Sequence, residues 1–254
     1  MTHYKIPNNY DSLLVCGDIH GEFKTLIYNI KKFGLEKCAI IIAGDCGIGF
    51  EKEEYYSHVY NSIREVLENR EIMILMIRGN HDDPAYFNER RIDFPLMKAI
   101  PDYSVISIGT TAVLCVGGAI SLDRISRKEW MQKRMELPRK FNSVYWAGER
   151  PIIDYIALEN IKQSGIRINR VVTHSAPSIC APSLTGLQNY FLLDPYLEHD
   201  ILQERNTLDL LRSTLLSDKH PIKEWVYGHY HQSKSENIED INYIQLNIHE
   251  LKQI

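Results

Sequence analysis

Short, uninterrupted apolar runs recur in the N-terminal part of the chain, and helically spaced stretches separate them. The runs cover residues 13–16, 39–43 and 72–77. Between them, apolar residues spaced three or four positions apart predict helices over 23–30 and 51–69. Continuous apolar strands that alternate with helices are typical of a parallel sheet covered by helices on both faces. The pattern therefore predicts an α/β fold built from βαβ units.

The C-terminal part is less regular. The further predicted elements are strands at 105–108, 112–116, 170–173 and 224–227, a helix at 197–216, and closing strands within 238–248. The first two of these strands flank a glycine-containing turn and predict a hairpin. Residues 124–168 are predicted to be mostly helical, with breaks near Pro138 and at 149–151, and a helical insertion is expected around 120–165. We expect one domain over residues 1–254, because no repeat or linker-like segment interrupts the chain.

Composition and charge narrow the function classes. The formal net charge is −4, so no broad basic field favours nonspecific nucleic-acid binding. The N-terminus lacks the features of a signal peptide, and the longest apolar runs are too short to cross a bilayer. Five cysteines are scattered singly without a C-x-x-C pair. Free thiols and a cytoplasmic location are the simplest expectation.

A glycine or threonine and then one or more ligand-type side chains follow five of the apolar runs. The segments are GDIHG at 17–21, GDCG at 44–47, GNHD at 79–82, THSAP at 173–177 and GHYH at 228–231. In open α/β sheets, ligands bind at the carboxyl ends of the strands, where these side chains would gather. The candidate metal ligands are Asp18, His20, Asp45, Asn80, His174, His229 and His231. Carboxylates and imidazoles suit divalent ions such as Mn, Fe or Zn, and seven ligands suit two ions.

Each segment has a simpler explanation when it is taken alone. Asp18 or Asp45 would then be a helix cap or a turn residue, and His174 an ordinary loop histidine. The GHYH segment would be a turn with two exposed rings. Five such segments in this order, each at the end of a strand, favour the metal site.

The ordered set of segments closely resembles the calcineurin-like metallophosphoesterases, over nearly the whole chain from Gly17 to His231. The resemblance implies an α/β fold of two packed mixed β-sheets flanked by helices, a four-layer α/β/β/α sandwich. It implies that Asp18, His20 and His231 bind a first ion, that Asp45 bridges both ions, and that Asn80, His174 and His229 bind the second. It also implies that His81 binds no metal and instead protonates the leaving oxygen.

The resemblance also implies a reaction. Two divalent ions make hydroxide available near neutral pH, and a bridging hydroxide would attack phosphorus while His81 acts as the general acid. Asp82 is a plausible partner that orients His81, and a role in the loop itself is an equal alternative. We expect Mn, and Fe, Zn or Ni would suit the same ligands. The expected substrate is a small phosphorylated compound or a phosphodiester, and no membrane partner is expected.

One difference from the family pattern and one further segment bear on the identity of the substrate. Protein serine/threonine phosphatases of the family carry an Asp and an Arg where this chain has Ile48 and Gly49, which weakens a phosphoprotein-phosphatase interpretation. The segment GGAISLDRISR at 117–127 places Arg124 and Arg127 after paired glycines, where they could bind phosphate or form structural ion pairs. This segment and YWAGE at 145–149 resemble a bacterial and phage-associated branch of the family. A DNA-repair type nuclease and a non-catalytic metal-binding scaffold are the alternative functions.

Overall fold

The computed structural model describes residues 1–135 and 142–254. The strands in these ranges are β1 (His3–Lys5), β2 (Ser12–Cys16), β3 (Cys38–Ile42), β4 (Ile72–Met76), β5 (Asp93–Phe94), β6 (Met97–Ala99), β7 (Ser104–Ile108), β8 (Thr111–Val116), β9 (Arg170–Thr173), β10 (Glu224–Tyr227), β11 (Lys234–Ile238), β12 (Ile241–Gln245) and β13 (Leu251–Gln253). The helices are α1 (Phe23–Lys32), α2 (Glu53–Asn69), α3 (Pro84–Asn88), α4 (Arg124–Met135), α5 (Tyr155–Gln163), α6 (Gln188–Leu193) and α7 (Leu197–Ser217).

The strands form two mixed sheets. Sheet I has the order β13-β2-β3-β4-β6-β5, and sheet II has the order β1-β7-β8-β9-β10-β12-β11. In sheet I, the neighbours β2, β3 and β4 run parallel, with Leu14 opposite Ile40 and Ile40 opposite Ile74. In sheet II, β9 runs parallel to β8 and to β10. The parallel strands of each sheet therefore end at a common edge.

The side chains of each central strand alternate between two apolar layers. Leu13 and Val15 of β2 pack between the sheets, together with Val172 of β9 and Val226 of β10. Leu14, by contrast, belongs to the layer that sheet I forms with α1, α2 and α3. A matching layer joins the outer face of sheet II to α5 and α7. The predicted α/β fold of two packed mixed sheets between helices is confirmed.

The predicted helix over 124–168 is only partly present. Helices α4 and α5 occupy its two ends, and residues 142–154, which include the predicted break at 149–151, contain no helix. The break near Pro138 lies outside the described residues. Arg78 explains the loop at 148–150, because its buried guanidinium binds the carbonyl oxygens of Gly148, Glu149 and Arg150 at 2.8–3.1 Å. These carbonyls are thereby drawn away from helical hydrogen bonding.

The pattern located only one of the closing strands, β12, within its predicted range. They were predicted within 238–248, whereas the structure has strands β11 and β12 on either side of a turn at 239–240, and then β13. The short elements β1, β5, β6, α3 and α6 were not predicted. They are too short for a periodic pattern to be recognised, and tertiary packing decides them. The division of the chain into domains stays a prediction.

All five cysteines are free, as their scattered spacing predicted, and all five are buried. Burial raises the pKa of the Cys38 thiol to about 11, so this group stays protonated near neutral pH. None of the helices within 1–135 and 142–254 is both long and apolar enough to cross a membrane.

Replacing Ile41 with alanine is expected to lower the free energy of unfolding by about 2–5 kcal/mol. Ile41 is fully buried between the two sheets, so truncation leaves a cavity that the strands cannot close. Urea unfolding followed by circular dichroism measures the effect. Ile156→Ala is the matched control, because that side chain is 77% exposed, and we expect it to stay within about 0.5 kcal/mol of the parent. Equal stabilities of the two variants would contradict the proposed inter-sheet core.

Candidate metal centre

The predicted ligands lie where the parallel strands of both sheets end. Asp18 and His20 follow β2, Asp45 follows β3, and Asn80 follows β4. From sheet II, His174 follows β9, and His229 and His231 follow β10. A backbone hydrogen bond of 3.1 Å from Gly228 to the His174 carbonyl ties the last two segments together. The fold thus brings residues from positions 18 to 231 to one place.

Four of these side chains form a compact cluster. The ligand atoms of Asp18, His20, Asp45 and His231 all lie within 4.8 Å of one another. Nε2 of His231 lies 3.0 Å from Oδ2 of Asp18 and 3.1 Å from Nε2 of His20. Two carboxylates and two imidazoles at such distances are a suitable donor set for a divalent cation.

A second group lies on the other side of Asp45. Nε2 of His174 is 3.0 Å from Oδ1 of Asn80 and 3.2 Å from Oδ1 of Asp45. The ring of His229 stands next to that of His174, with 5.0 Å between their centroids. This group supplies one carboxylate, one amide oxygen and two imidazoles.

Asp45 faces both groups with different oxygen atoms. Oδ1 lies 3.2 Å from Nε2 of His174, while Oδ2 lies 3.8 Å from Nδ1 of His20. The backbone N–H of His81 donates to Oδ1 at 2.7 Å and so holds the carboxylate in place. The carboxylate is therefore oriented to serve both groups at once.

The backbone is strained at several of these positions. His20, Asp45, His229 and His231 have φ angles of 45°, 46°, 68° and 52°, in the left-handed region that non-glycine residues seldom adopt. Each such residue costs on the order of 1–3 kcal/mol, and residues of this kind concentrate at functional sites. The rest of the fold therefore stabilises these four residues in backbone conformations that are unfavourable for them on their own.

Glycines make room for the cluster. A Cβ atom at Gly79 would collide with the Asp45 carboxylate and backbone, and one at Gly228 would collide with Oδ1 of Asp18. At Gly44 it would collide with the His174 ring. The glycines that precede the ligands in sequence are thus required by close packing around the centre.

A hydrogen bond determines which ring nitrogen of the buried His174 faces the other candidate ligands. Nδ1 of His174 donates to the carbonyl of Ala43 at 2.7 Å, which leaves Nε2 facing Oδ1 of Asn80 and Oδ1 of Asp45. Such a bond to the second ring nitrogen is the usual support of a metal-binding histidine. The donor set, its tight spacing and this support together fit divalent metal ions.

The electrostatics favour bound positive charge. Burial opposes ionisation of Asp45, yet the charges and hydrogen bonds of His174 and His81 hold its pKa below the usual range. Burial likewise acts to lower the pKa of His174, but the Asp45 and Asp18 carboxylates outweigh it and raise that pKa to about 10. Burial lowers the pKa of His229 to about 3, so this ring is neutral. Ionised carboxylates beside a neutral imidazole are what a cation site requires.

His81 lies beside the centre without joining either group. Its ring is 5.5 Å from that of His20, and Nη2 of Arg127 contacts both of its ring nitrogens, at 2.7 Å for Nδ1. Burial lowers the pKa of His81, the Asp45 carboxylate opposes this, and the Arg127 charge adds to it. An imidazole and a guanidinium therefore stand together next to the metal ligands.

The sequence matches the family model for calcineurin-like phosphoesterases over residues 12–233. The chain belongs to this family. It is a metal-dependent phosphoric ester hydrolase, and the cluster described above is its candidate metal site. The match bears out the family resemblance seen in the segments from Gly17 to His231, while the bacterial and phage-associated branch stays a prediction.

Several solved structures are similar to this chain at low sequence identity. A Staphylococcus aureus protein provisionally assigned as a 5'-nucleotidase has a TM-score of 0.44 and 13% identity, and the match covers 95% of this chain and 50% of that one. A phosphopantetheinyl hydrolase of Mycobacterium tuberculosis has a TM-score of 0.42 and 12% identity, over 98% and 97% of the two chains. A cold-active protein-tyrosine phosphatase of Shewanella sp. has a TM-score of 0.42 and 12% identity, over 100% and 77%. No curated protein matched the sequence significantly.

Asp82 organises the loops of this phosphoesterase. Its Oδ1 accepts from the N–H of Ile48 at 2.8 Å, and its Oδ2 accepts from Cys46 at 3.0 Å and Gly79 at 2.7 Å. Burial and the nearby Asp45 charge raise its pKa to about 7 despite these bonds. The contacts support the loop role, and the prediction that Asp82 orients the His81 ring stays untested.

The two predicted substrate arginines have different surroundings. Arg124 is buried and pairs with Asp194 through Nε and with Asp200 through Nη1, at 2.6 Å for the latter. These partners occupy its guanidinium and join α4 to α7, which corresponds to the structural alternative. Arg127 pairs with Asp123 at 2.9 Å and reaches His81. Of the two, only Arg127 contacts the proposed catalytic site, and it is the one that we carry forward.

A buried chain of hydrogen bonds orients Asn80, and sequence reasoning did not assign its members. Nδ2 of Asn80 donates to Oγ of Ser121 at 2.9 Å, and that hydroxyl donates to Oε2 of Glu149 at 2.6 Å. The Ser121 N–H also donates to Oε1 of Glu149 at 3.1 Å. The chain directs the amide oxygen of Asn80 toward His174. The segments GGAIS and YWAGE, noted for other reasons, carry these two residues.

Replacing Glu149 with glutamine is expected to weaken binding of Mn²⁺ by about 10- to 100-fold, the usual cost of losing such a supporting contact. The glutamine places an N–H₂ group where one of the Ser121 donors needs an acceptor, so the amide of Asn80 loses its fixed orientation. Isothermal titration calorimetry with Mn²⁺ measures the change. Glu65→Gln is the control, because Glu65 is exposed on α2. Unchanged affinity in Glu149→Gln would show that the chain does not support the ligand.

Proposed function

We propose that this protein hydrolyses phosphate mono- or diesters at a centre of two divalent ions. One ion would be held by Asp18, His20 and His231. The other would be held by Asn80, His174 and His229, and Asp45 would bind both ions. The observation that carries the proposal is the orientation of Asp45, whose two oxygens face the two ligand groups separately. We expect Mn²⁺, with Fe, Zn or Ni as ions that the same nitrogen and oxygen ligands accept.

The bound ions would neutralise charge on the phosphoryl oxygens and make hydroxide available near neutral pH. The chain supplies the remaining functions. Asp45, which the N–H of His81 holds in place, would connect the two ligand groups through its two oxygens. The imidazole of His81 is placed beside them to donate a proton to the departing oxygen. Arg127, adjacent to that ring, would bind a phosphate oxygen with its guanidinium.

The test uses purified protein loaded with Mn²⁺ and two reporter esters, p-nitrophenyl phosphate and bis-p-nitrophenyl phosphate. We expect turnover of at least one ester and two bound ions per chain by metal analysis. The preferred ester separates a monoesterase from a diesterase. Two bound ions without turnover of either ester would favour the scaffold, and absence of metal binding would overturn the proposal.

A further inference from the structure

A cavity of about 490 Å³ opens beside the metal centre. The side chains of Asp45, Asn80, His81, His229 and His231 all line it, so it is continuous with the proposed catalytic site. Its volume lies within the range of about 300–1,000 Å³ that is usual for small-molecule pockets. The cavity therefore offers more space than a phosphate group alone would occupy.

The rest of the lining is dominated by one apolar cluster. Ile120 and Ile201 are buried members of this cluster, and Leu122, Leu184 and Leu187 pack against it while also lining the cavity. We call these five residues the apolar wall. The wall combines three separate parts of the chain, namely the loop after β8, the segment before α6, and α7. The metal centre and the apolar wall thus share one cavity.

Hydrogen bonds of Glu204 and Arg205, which themselves line the cavity, hold the apolar wall in place. The carboxylate of Glu204 on α7 accepts from the N–H of Ile120 and from the Ser175 hydroxyl. Nη2 of Arg205 donates to the carbonyl of Pro182 at 2.6 Å and so fastens the segment that carries Leu184 to α7. The wall is therefore fixed by contacts within the protein. Sequence reasoning missed Glu204, although an acidic residue at an inward position of α7 was the available signal.

Asp123, Ser183 and Glu204, three of the polar residues that line the cavity, already have local partners, whereas the buried Nε of Arg205 has no hydrogen-bond partner. The Asp123 carboxylate binds Arg127 at 2.9 Å, and the Ser183 hydroxyl bonds to Thr185 at 2.7 Å. A sugar-like group with several hydroxyls would thus face the apolar wall with few partners for its hydrogen bonds, which is unfavourable. An apolar group in the same position would gain by leaving water.

We propose that the preferred substrates are phosphate esters whose organic group is apolar, such as an alkyl chain or an unsubstituted ring, and that the apolar wall binds this group. This inference rests on the proposed function, since it places the phosphate at the metal centre. Within the monoesters, or within the diesters, the selectivity then follows from the organic group, because these esters present the same phosphoryl oxygens to the metal centre and to Arg127 and the same kind of leaving oxygen to His81.

The test is a series of methyl, butyl and hexyl phosphate with the Mn²⁺-loaded protein, with kcat/KM measured by phosphate release. The three alcohols are leaving groups of closely similar reactivity, so the series varies mainly the apolar surface. We expect kcat/KM to rise with chain length, by up to about fourfold for each methylene group that is fully buried. Glycerol phosphate, similar in size to the butyl ester but polar, should fall near the methyl ester. A protein that cleaves only diesters is tested with the corresponding alkyl p-nitrophenyl phosphates.

Leu187→Asn and Leu192→Asn are the paired variants. Leu187 belongs to the apolar wall, whereas Leu192 is 82% exposed on the adjacent α6 and does not line the cavity. We expect Leu187→Asn to flatten the chain-length series while it keeps the parental Mn²⁺ content and circular dichroism spectrum, and Leu192→Asn to leave the series unchanged. Turnover of the reporter ester with a flat series in the parent protein would overturn this inference alone. Loss of reporter turnover in the parent would instead count against the proposed function.

Discussion

Replacing Asp45 with asparagine is expected to lower kcat/KM for the preferred reporter ester by at least about 10³-fold, because a metal centre contributes several kcal/mol to such reactions. The carboxylate faces both ligand groups, and a neutral amide would remove one negative charge from between the two proposed ions. We expect metal analysis to show fewer than two ions per chain. The variant should still fold, since the amide oxygen can accept the bond that the His81 N–H donates.

Asp240→Asn is the matched control for this experiment. Asp240 is exposed in the turn between β11 and β12, at a φ angle of 61° that asparagine also tolerates. We expect it to keep full activity and full metal content. If Asp45→Asn bound two ions and turned over the ester at the parental rate, the bridging role would be wrong.

Replacing His81 with alanine is expected to lower kcat by about 10²–10⁴-fold for alkyl esters, and by much less for p-nitrophenyl esters. An alkoxide leaves poorly without a proton, whereas p-nitrophenolate leaves readily. Metal content should not change, because the His81 ring belongs to neither ligand group. Single-turnover kinetics with hexyl phosphate and p-nitrophenyl phosphate, at saturating metal, give the comparison.

The control for this variant is His58→Ala, since His58 is exposed on α2 and does not line the cavity beside the metal centre. Equal losses of kcat on both kinds of ester would contradict proton donation by His81 and would point to a role in holding the phosphate. A drop in bound metal would instead make His81 a ligand. Arg127 contacts the same ring, so Arg127→Ala should raise KM more than it lowers kcat if the guanidinium binds the phosphate.

The apolar pattern predicted the central strands well, for a reason visible in the two sheets. Strands such as β3 are buried on both faces, one against the other sheet and one against helices, so every residue in them is apolar. The same reasoning fails for edge elements. Strands β1 and β13 carry polar or partly exposed residues and pair only through neighbours distant in sequence, Ser104–Ile108 and Ser12–Cys16, so no local pattern marks them.

The sequence also indicated most of the candidate site. Each predicted ligand follows a strand closely, so the convergence of parallel strand ends was enough to bring positions 18 to 231 together. The sequence could not indicate which residues orient the predicted ligands through hydrogen bonds. Glu149 orients Asn80 only because Arg78 binds the carbonyls around it, across about 70 residues of sequence. The same limit applies to Arg124, whose partners Asp194 and Asp200 come from beyond α5 and β9.

The sequence by itself determined the alternation of strands and helices, the ligand types and the family, because these depend on local composition and on order along the chain. Only the tertiary structure decided which oxygen of Asp45 faces which ligand group, that Asp82 binds backbone rather than solvent, and that an apolar wall shares the cavity of the metal centre. These features depend on distances between segments that are far apart in sequence, and such distances exist only once the two sheets have packed.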